Sequence, residues 1–186
     1  MGYAVAIMAK RRGARVILVS GPSSLPPPMD VHFVSVGSAR EMRDAVIGYL
    51  DAATVVVKAA AVADYRPAVQ ARQKLKKNAG PMTIALERNP DIIAEVGDKK
   101  NGRIVVGFAM ETEDLLENAR AKLEAKNMDL IVANDLQEAG AGFQSETNVI
   151  RIMDREGTIE SLPLMSKMDA ANRILDRVKC LLAAKT

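Results

Sequence analysis

The densest concentration of chemistry-bearing side chains lies between positions 58 and 77. Lys58, Arg66, Arg72, Lys74, Lys76 and Lys77 stand there against one acid, Asp64, in a chain whose formal net charge is only +3. The segment opens with Lys58, Ala59, Ala60 and Ala61, directly after the β-branched run Val55, Val56, Val57. Small residues at such a point let backbone N–H and C=O groups approach a ligand, and open α/β sheets bind ligands at the carboxyl ends of their strands. Asp64 can accept hydrogen bonds from a ribose or a base, and Lys74 can meet a phosphate, so the set suits an anionic nucleotide. A solvated basic loop beside a core strand explains the same composition, and the residue types leave both readings open.

Three further groups invite the same weighing. Asn89, Pro90, Asp91, Ile92 and Ile93 open a helix, where free N–H groups and the dipole attract an anion; Asp91 can equally serve that end as a cap. Phe108, one of three phenylalanines, sits where a strand ends and can lie against a base, core packing being the ordinary alternative. Lys122 and Lys126 are four apart and share one side of a helix. Near the apolar seam of Leu115, Ala119 and Leu123 their ammonium groups can converge on a nucleotide; Glu117 and Glu124 offer them ordinary ion-pair partners instead. His32 reads as structural, Cys180 as a small core hydrophobe, and the ten methionines as packing.

The elements that must position these residues follow from periodicity. Helical spacing covers residues 3–12, 38–53, 89–99, 113–128 and 166–184; Ser38 with Glu41 forms a capping box, and Pro90 suits a first turn. Apolar β-branched runs predict strands at 16–20, 31–35, 54–60, 82–87, 104–108 and 130–133, and a hairpin at 149–153 and 159–162. The stretch 62–67 reads as an irregular turn, and Gly140 and Gly142 mark a loop. Strands alternating with helices of this length mean βαβ units and a mostly parallel sheet. The expected fold is α/β, a Rossmann-like three-layer arrangement with a C-terminal β-hairpin and helix, in a single domain over residues 1–186. The chain opens on a helix, whereas a doubly wound sheet opens on a strand and a phosphate loop; the sequence is therefore expected to be a piece lacking that N-terminal segment.

Composition bounds the rest. The 186 residues are 48% hydrophobic and 26% charged, as in a globular domain with one core. One cysteine and one histidine exclude an internal disulfide and any Cys- or His-rich metal site. No apolar run nears the roughly 18 residues of a membrane span. Lys10, Arg11 and Arg12 follow the first apolar stretch instead of preceding it, unlike a signal peptide, so a cytoplasmic setting without membrane contact is expected. Six aromatics and no Trp leave little for stacking on nucleic acid.

A set of segments occurs in order along the whole chain: Met1-Gly-Tyr-Ala, Gly13-Ala-Arg-Val-Ile-Leu-Val-Ser-Gly-Pro22, Ala59-Ala-Ala-Val-Ala-Asp-Tyr-Arg-Pro67, Lys74-Leu-Lys-Lys77, Arg88-Asn-Pro-Asp-Ile92, Gly107-Phe-Ala-Met-Glu-Thr112, Lys126-Asn-Met-Asp-Leu-Ile-Val-Ala-Asn-Asp135 and Gly142-Phe143. Together they resemble the phosphopantothenoylcysteine synthetase domain, usually the C-terminal half of a bifunctional bacterial coenzyme A biosynthesis protein behind a flavin-dependent decarboxylase. The resemblance implies a CTP-dependent phosphopantothenate–cysteine ligase. 4′-Phosphopantothenate attacks the α-phosphate of CTP, pyrophosphate leaves, and the amine of L-cysteine displaces CMP from the acyl-cytidylate. It implies that the backbone at Lys58, Ala59 and Ala60 and the side chain of Asp64 hold the cytidine. Lys74 would act on the phosphates and the acyl-cytidylate. Pro90, Asp91, Ile92 and Ile93 would form the nucleotide loop, and Phe108, Lys122 and Lys126 would complete the pocket. Mg2+ is implied with the triphosphate and no resident metal ligands, as are a homodimer, possible larger assembly with a fused decarboxylase, and an upstream Gly-Gly-Thr-Arg-Glu-type loop absent here. Lys58 stands where the family often has a small or apolar residue. An NAD(P)-dependent Rossmann oxidoreductase remains the alternative, disfavoured because no Gly-x-Gly-x-x-Gly occurs; a catalytically incomplete nucleotide-binding module is another.

Overall fold

The computed structural model describes residues 1–71, 73–75, 81–111, 115–135 and 147–185. Helix α1 (Gly2–Arg11) leads to strands β1 (Ile17–Ser20) and β2 (His32–Ser35), then α2 (Ala39–Gly48) and a 3-10 turn, Leu50–Ala52. Next come β3 (Val55–Lys58), β4 (Tyr65–Pro67), β5 (Leu86–Arg88), α3 (Ile92–Asp98), β6 (Ile104–Glu111), α4 (Leu115–Ala125) and β7 (Leu130–Asp135). Strands β8 (Thr147–Asp154) and β9 (Ile159–Ser166) and helix α5 (Lys167–Ala183) complete the described elements.

The central sheet has the order β3-β6-β7-β8-β9. The first three strands run parallel, with Val55 opposite Ile104 and Val106 opposite Leu130; β8 and β9 are antiparallel. Alternation sends Ile104, Val106, Leu130, Val132, Ile150 and Ile152 to one face, where α1 and α5 cover them. Val105, Ile131 and Ala133 go to the other, under α3, α4 and part of α2. Covering both faces explains why these strands are almost uninterrupted apolar runs.

The capping box acts as the sequence predicts, and two further contacts lock the layers. The Ser38 hydroxyl accepts from the Glu41 N–H at 3.2 Å, while the Glu41 carboxylate accepts from the N–H of Gly37, one residue before the cap. Asp129 is buried at the start of β7. It accepts from the Val105 N–H at 2.7 Å and pairs with Lys100 at 2.7 Å, locking β6 to β7. Gly97 is obligatory, because a Cβ there would lie 2.1 Å from the Lys126 carbonyl oxygen.

Other expectations are corrected. Strands β1 and β2 pair with each other in parallel but, among the described residues, form a separate two-stranded sheet and are not hydrogen-bonded to β3. The stretch read as a turn contains β4, which pairs antiparallel with β5, and β5 is a shortened remnant of the predicted strand 82–87. The C-terminal hairpin is longer than predicted and joins the central sheet through β7. Cys180 is exposed: the buried stripe of α5 runs through Ala170, Ile174 and Val178, and Cys180 lies off it. Met29 and Met82 are likewise exposed. The loop at Gly140 and Gly142 lies outside the described residues, as do Arg72, Lys76 and Lys77.

Candidate functional site

A cleft opens where β3 ends. It is lined by Lys58, Val62, Ala63 and Asp64 on one side and by Asn89, Pro90, Asp91 and Ile92 on the other. Two polar side chains hold its walls together. Asn89 donates to the Ala63 carbonyl at 2.8 Å, and its backbone N–H donates to the Asp64 carbonyl at 2.8 Å. Arg66 donates to the Arg88 carbonyl at 2.8 Å and to Asn89 Oδ1 at 2.9 Å, and pairs with Glu87 at 2.8 Å. The base of the β4–β5 arm is thus pinned beside the cleft mouth.

Asp91 caps α3, accepting from the Ala94 N–H at 3.2 Å through Oδ1. Its other oxygen pairs with Lys126 Nζ at 3.0 Å. Burial pushes the Asp91 carboxyl up, but the hydrogen bonds from Lys126 and Ala94 and the charges of Lys126 and Lys58 outweigh it, leaving it below the usual carboxylate range. Burial pushes the Lys58 ammonium down, with Lys126 acting the same way and Asp91 and Asp64 opposing. The site therefore holds two cations and two carboxylates around one small opening.

The structure brings together Lys58, Asp64, Pro90, Asp91 and Ile92 as lining, with Lys126 joined through its ion pair. Ala59 and Ala60 follow Lys58 directly at the strand end, half-buried and exposed respectively. Ile93 is buried under the sheet in the α3–α4 layer. Phe108 packs on the opposite face, against the α1–α5 core. Lys122 is exposed on α4, and Lys74 is exposed and outside the lining. Asn89 and Arg66 are the bracing residues of the cleft that residue-type reasoning underrated, since their partners are mostly backbone carbonyls. The signal available was a polar Asn immediately before Pro90, where an Asn often serves a turn. Among the described residues no cluster of three metal-ligating side chains occurs. The acids at hand are Asp64 and Asp91, and both Asp91 oxygens already have partners, so an ion here would take most of its ligands from phosphate oxygens that it arrives with.

An α/β chain with a charged cleft at its strand ends belongs to the open-sheet architectures that place their ligand sites at the carboxyl ends of the strands. Over residues 1–181 the chain matches the family described as the DNA/pantothenate metabolism flavoprotein C-terminal domain, and it belongs to that family. It is 49% identical over 182 residues to the coenzyme A biosynthesis bifunctional protein CoaBC of Bacillus subtilis, covering 97% of this chain and 45% of that protein. With CoaBC of Escherichia coli it is 44% identical over 182 residues, covering 96% and 45%. The chain thus spans about half the length of the curated relatives it matches. Among solved structures, that of the C-terminal domain of CoaBC superposes with a TM-score of 0.84 at 39% identity, covering 98% of this chain and 82% of that one.

Proposed function

We propose that this domain ligates 4′-phosphopantothenate to L-cysteine at the expense of CTP, in coenzyme A biosynthesis. The observation that carries the reading is the convergence of Lys58, Asp64, Asp91 and Lys126 on one cleft at a strand end, in a chain of this family. A triphosphate approached by a carboxylate needs charge neutralisation, and a cleft with paired cations provides it. In this reading a carboxylate oxygen of phosphopantothenate bonds to the α-phosphorus as the bond to pyrophosphate breaks. The cysteine nitrogen then bonds to the acyl carbon, CMP departs with the bonding electrons, and the amine loses a proton.

The backbone from Lys58 to Ala60 and the Asp64 carboxylate are assigned to the nucleoside. Pro90, Asp91 and Ile92 line the nucleotide loop with Ile93 buried behind them, and Lys126 and the exposed Lys122 border it; Phe108, packed on the α1–α5 face, supports the strand end without touching the nucleotide. Lys74 is assigned to the phosphates and the acyl-cytidylate from an exposed segment that would have to fold over the bound substrate. Mg2+, arriving with the triphosphate and held chiefly by it, would supply further charge neutralisation beside Lys58 and Lys126. The exposed apolar side chains of the β4–β5 arm favour pairing with a second copy of the chain.

Thermal stabilisation by CTP, ATP and NADH tests the ligand class. CTP at 100 times its dissociation constant adds about 2.7 kcal/mol; an equal response to ATP or a larger one to NADH defeats the reading, the latter in favour of an oxidoreductase. In the full-length protein, Lys74→Gln lowers pyrophosphate release or acyl-cytidylate consumption about 10- to 150-fold, while Lys76→Gln changes little. Equal behaviour of the two variants removes Lys74 from the chemistry.

A further inference from the structure

Lys58 is the last residue of β3, and its register partner on β6 is Gly107, which has no side chain to crowd it. Alternation along β3 places Val55 and Val57 toward the α1–α5 layer and Val56 toward the other. Lys58 therefore shares the face of Val56 and projects toward the α3–α4 layer, where Asp91 and Lys126 meet. It is half-buried and lines the cleft. Among the described residues, none lies within hydrogen-bond distance of its ammonium. Asp91, whose charge attracts it most, is already committed to Lys126 at 3.0 Å and to the Ala94 N–H at 3.2 Å.

A partly desolvated ammonium with no acceptor among the described residues, repelled by a second ammonium, is an unfavourable arrangement. An anion bridging the two cations relieves it; a neutral or cationic ligand does not. The lowered affinity of Lys58 for its proton reports the same deficit of negative charge. We propose that the side chain of Lys58, and not its backbone alone, binds the phosphate chain of the nucleoside triphosphate, sharing it with Lys126 across Asp91. This rests on the nucleotide reading of the cleft. The four-carbon stem lets the backbone of Lys58 lie along the nucleoside while the ammonium reaches the phosphates.

The test titrates the protein with CTP, cytidine and inorganic tripolyphosphate by calorimetry, in the wild type and in Lys58→Met, Lys58→Gln and Lys58→Arg. Methionine keeps the apolar stem and removes the charge. Lys58→Met is expected to weaken CTP and tripolyphosphate about 10- to 150-fold and to leave cytidine unchanged; Lys58→Gln follows it, and Lys58→Arg recovers most of the affinity. The melting temperature of Lys58→Met is expected to equal or exceed that of the wild type, since a desolvated charge has gone. Unchanged tripolyphosphate binding in both charge-removing variants overturns the proposal. So does an equal loss of cytidine, or failure of both variants to fold, each of which makes Lys58 a structural residue. A wild type that binds tripolyphosphate as tightly as CTP, with the binding lost in Lys58→Met, defeats the nucleotide reading and leaves the phosphate role of Lys58 standing. A wild type that binds neither overturns both.

Discussion

The central sheet and the β4–β5 arm use the same residue types to opposite ends. In the sheet, Ile104, Val105, Val106, Leu130, Val132 and Ile150 have no accessible surface left. Around the arm, Val69 is 82% exposed, and Tyr65, Leu75, Met82, Ile84 and Leu86 are each exposed by half or more. The sheet is covered on both faces, so its strands are held by burial. Among the described residues the arm has two three-residue strands and no layer over it, and a two-stranded ribbon is marginal in water. What holds its base is polar: Arg66, Glu87 and Asn89 bonding across it. The cleft lies at the junction of the two regimes, with one wall continuing from β3 and the other leading from β5 into α3. A rigid sheet thus fixes Lys58, while a weakly held arm borders the opening.

If burial holds the sheet, truncating a side chain there is the largest single perturbation. Ile131, the second residue of β7, lies between antiparallel Met153 on β8 and parallel Gly107 on β6. Ile131→Ala is expected to cost about 2–5 kcal/mol in urea unfolding. A cost below 1 kcal/mol would mean that the sheet is not the stable half of the molecule.

The second effect isolates the polar pins. Arg66→Met keeps the stem and removes the bonds to the Arg88 carbonyl, Asn89 and Glu87, with an expected loss of about 1–2 kcal/mol. The loss should be local: faster proteolysis and amide exchange between residues 63 and 90, with β6 and β7 protected as before. Uniform loss of protection across the sheet would show that arm and sheet open as one unit.

How far the sequence reveals each region follows from the same contrast. The parallel strands β3, β6 and β7 and their helices are legible because burial on two faces leaves long apolar runs, and because Ser38 and Asp91 announce helix starts. Strand β4 is not. Tyr65, Arg66 and Pro67 read as a turn, and they become a strand only through pairing with Leu86, Glu87 and Arg88, about twenty positions later. The separation of β1 and β2 from β3 is likewise a matter of pairing, which local pattern does not encode. In the site, Lys58, Asp64 and Asp91 are legible from their place at strand and helix ends. That Arg66 serves as a brace, beyond adding charge, depends on carbonyl partners that no residue type discloses. Phe108 is ambiguous in sequence because a strand end can face either layer, and here its side chain takes the α1–α5 side.

A smaller, pH-dependent effect concerns the helices under the sheet. Glu95 on α3 accepts two hydrogen bonds from Arg43 of α2, at 2.7 and 2.6 Å, and one from Lys99 at 2.8 Å. Hydrogen bonding to Arg43, then to Lys99, holds its carboxyl down at about 2. A depressed carboxyl stabilises the fold at pH values above its unfolded value near 4.5, and that contribution disappears as the pH falls toward 2. These groups are partly solvated, so the effect is smaller than that of Arg66. Stability measured between pH 5 and 2 should fall less steeply in Glu95→Gln than in the wild type; parallel curves would remove this pair from the acid response.

The least effect on folding is expected where apolar residues are most exposed. Ile84 lies ahead of β5 and is exposed by more than half, so Ile84→Ser removes little burial within the chain. Its unfolding free energy should stay within about 0.5 kcal/mol of the wild type. That near-silence sharpens the comparison, because the same change of residue type at Ile131 would remove an almost fully buried side chain from the sheet. The double substitution Ile84→Ser with Leu86→Ser gives the arm a second readout. Exposed apolar side chains gathered on one projection mark a surface that another surface covers. If a second copy of the chain covers it, sedimentation over a dilution series should show weaker self-association in the double variant, at unchanged monomer stability. A wild type that is monomeric at every concentration, or a double variant that associates as before, would leave the arm without that partner. A loss of several kcal/mol on Ile84→Ser would instead show that the arm folds back onto its own chain and belongs energetically with the sheet.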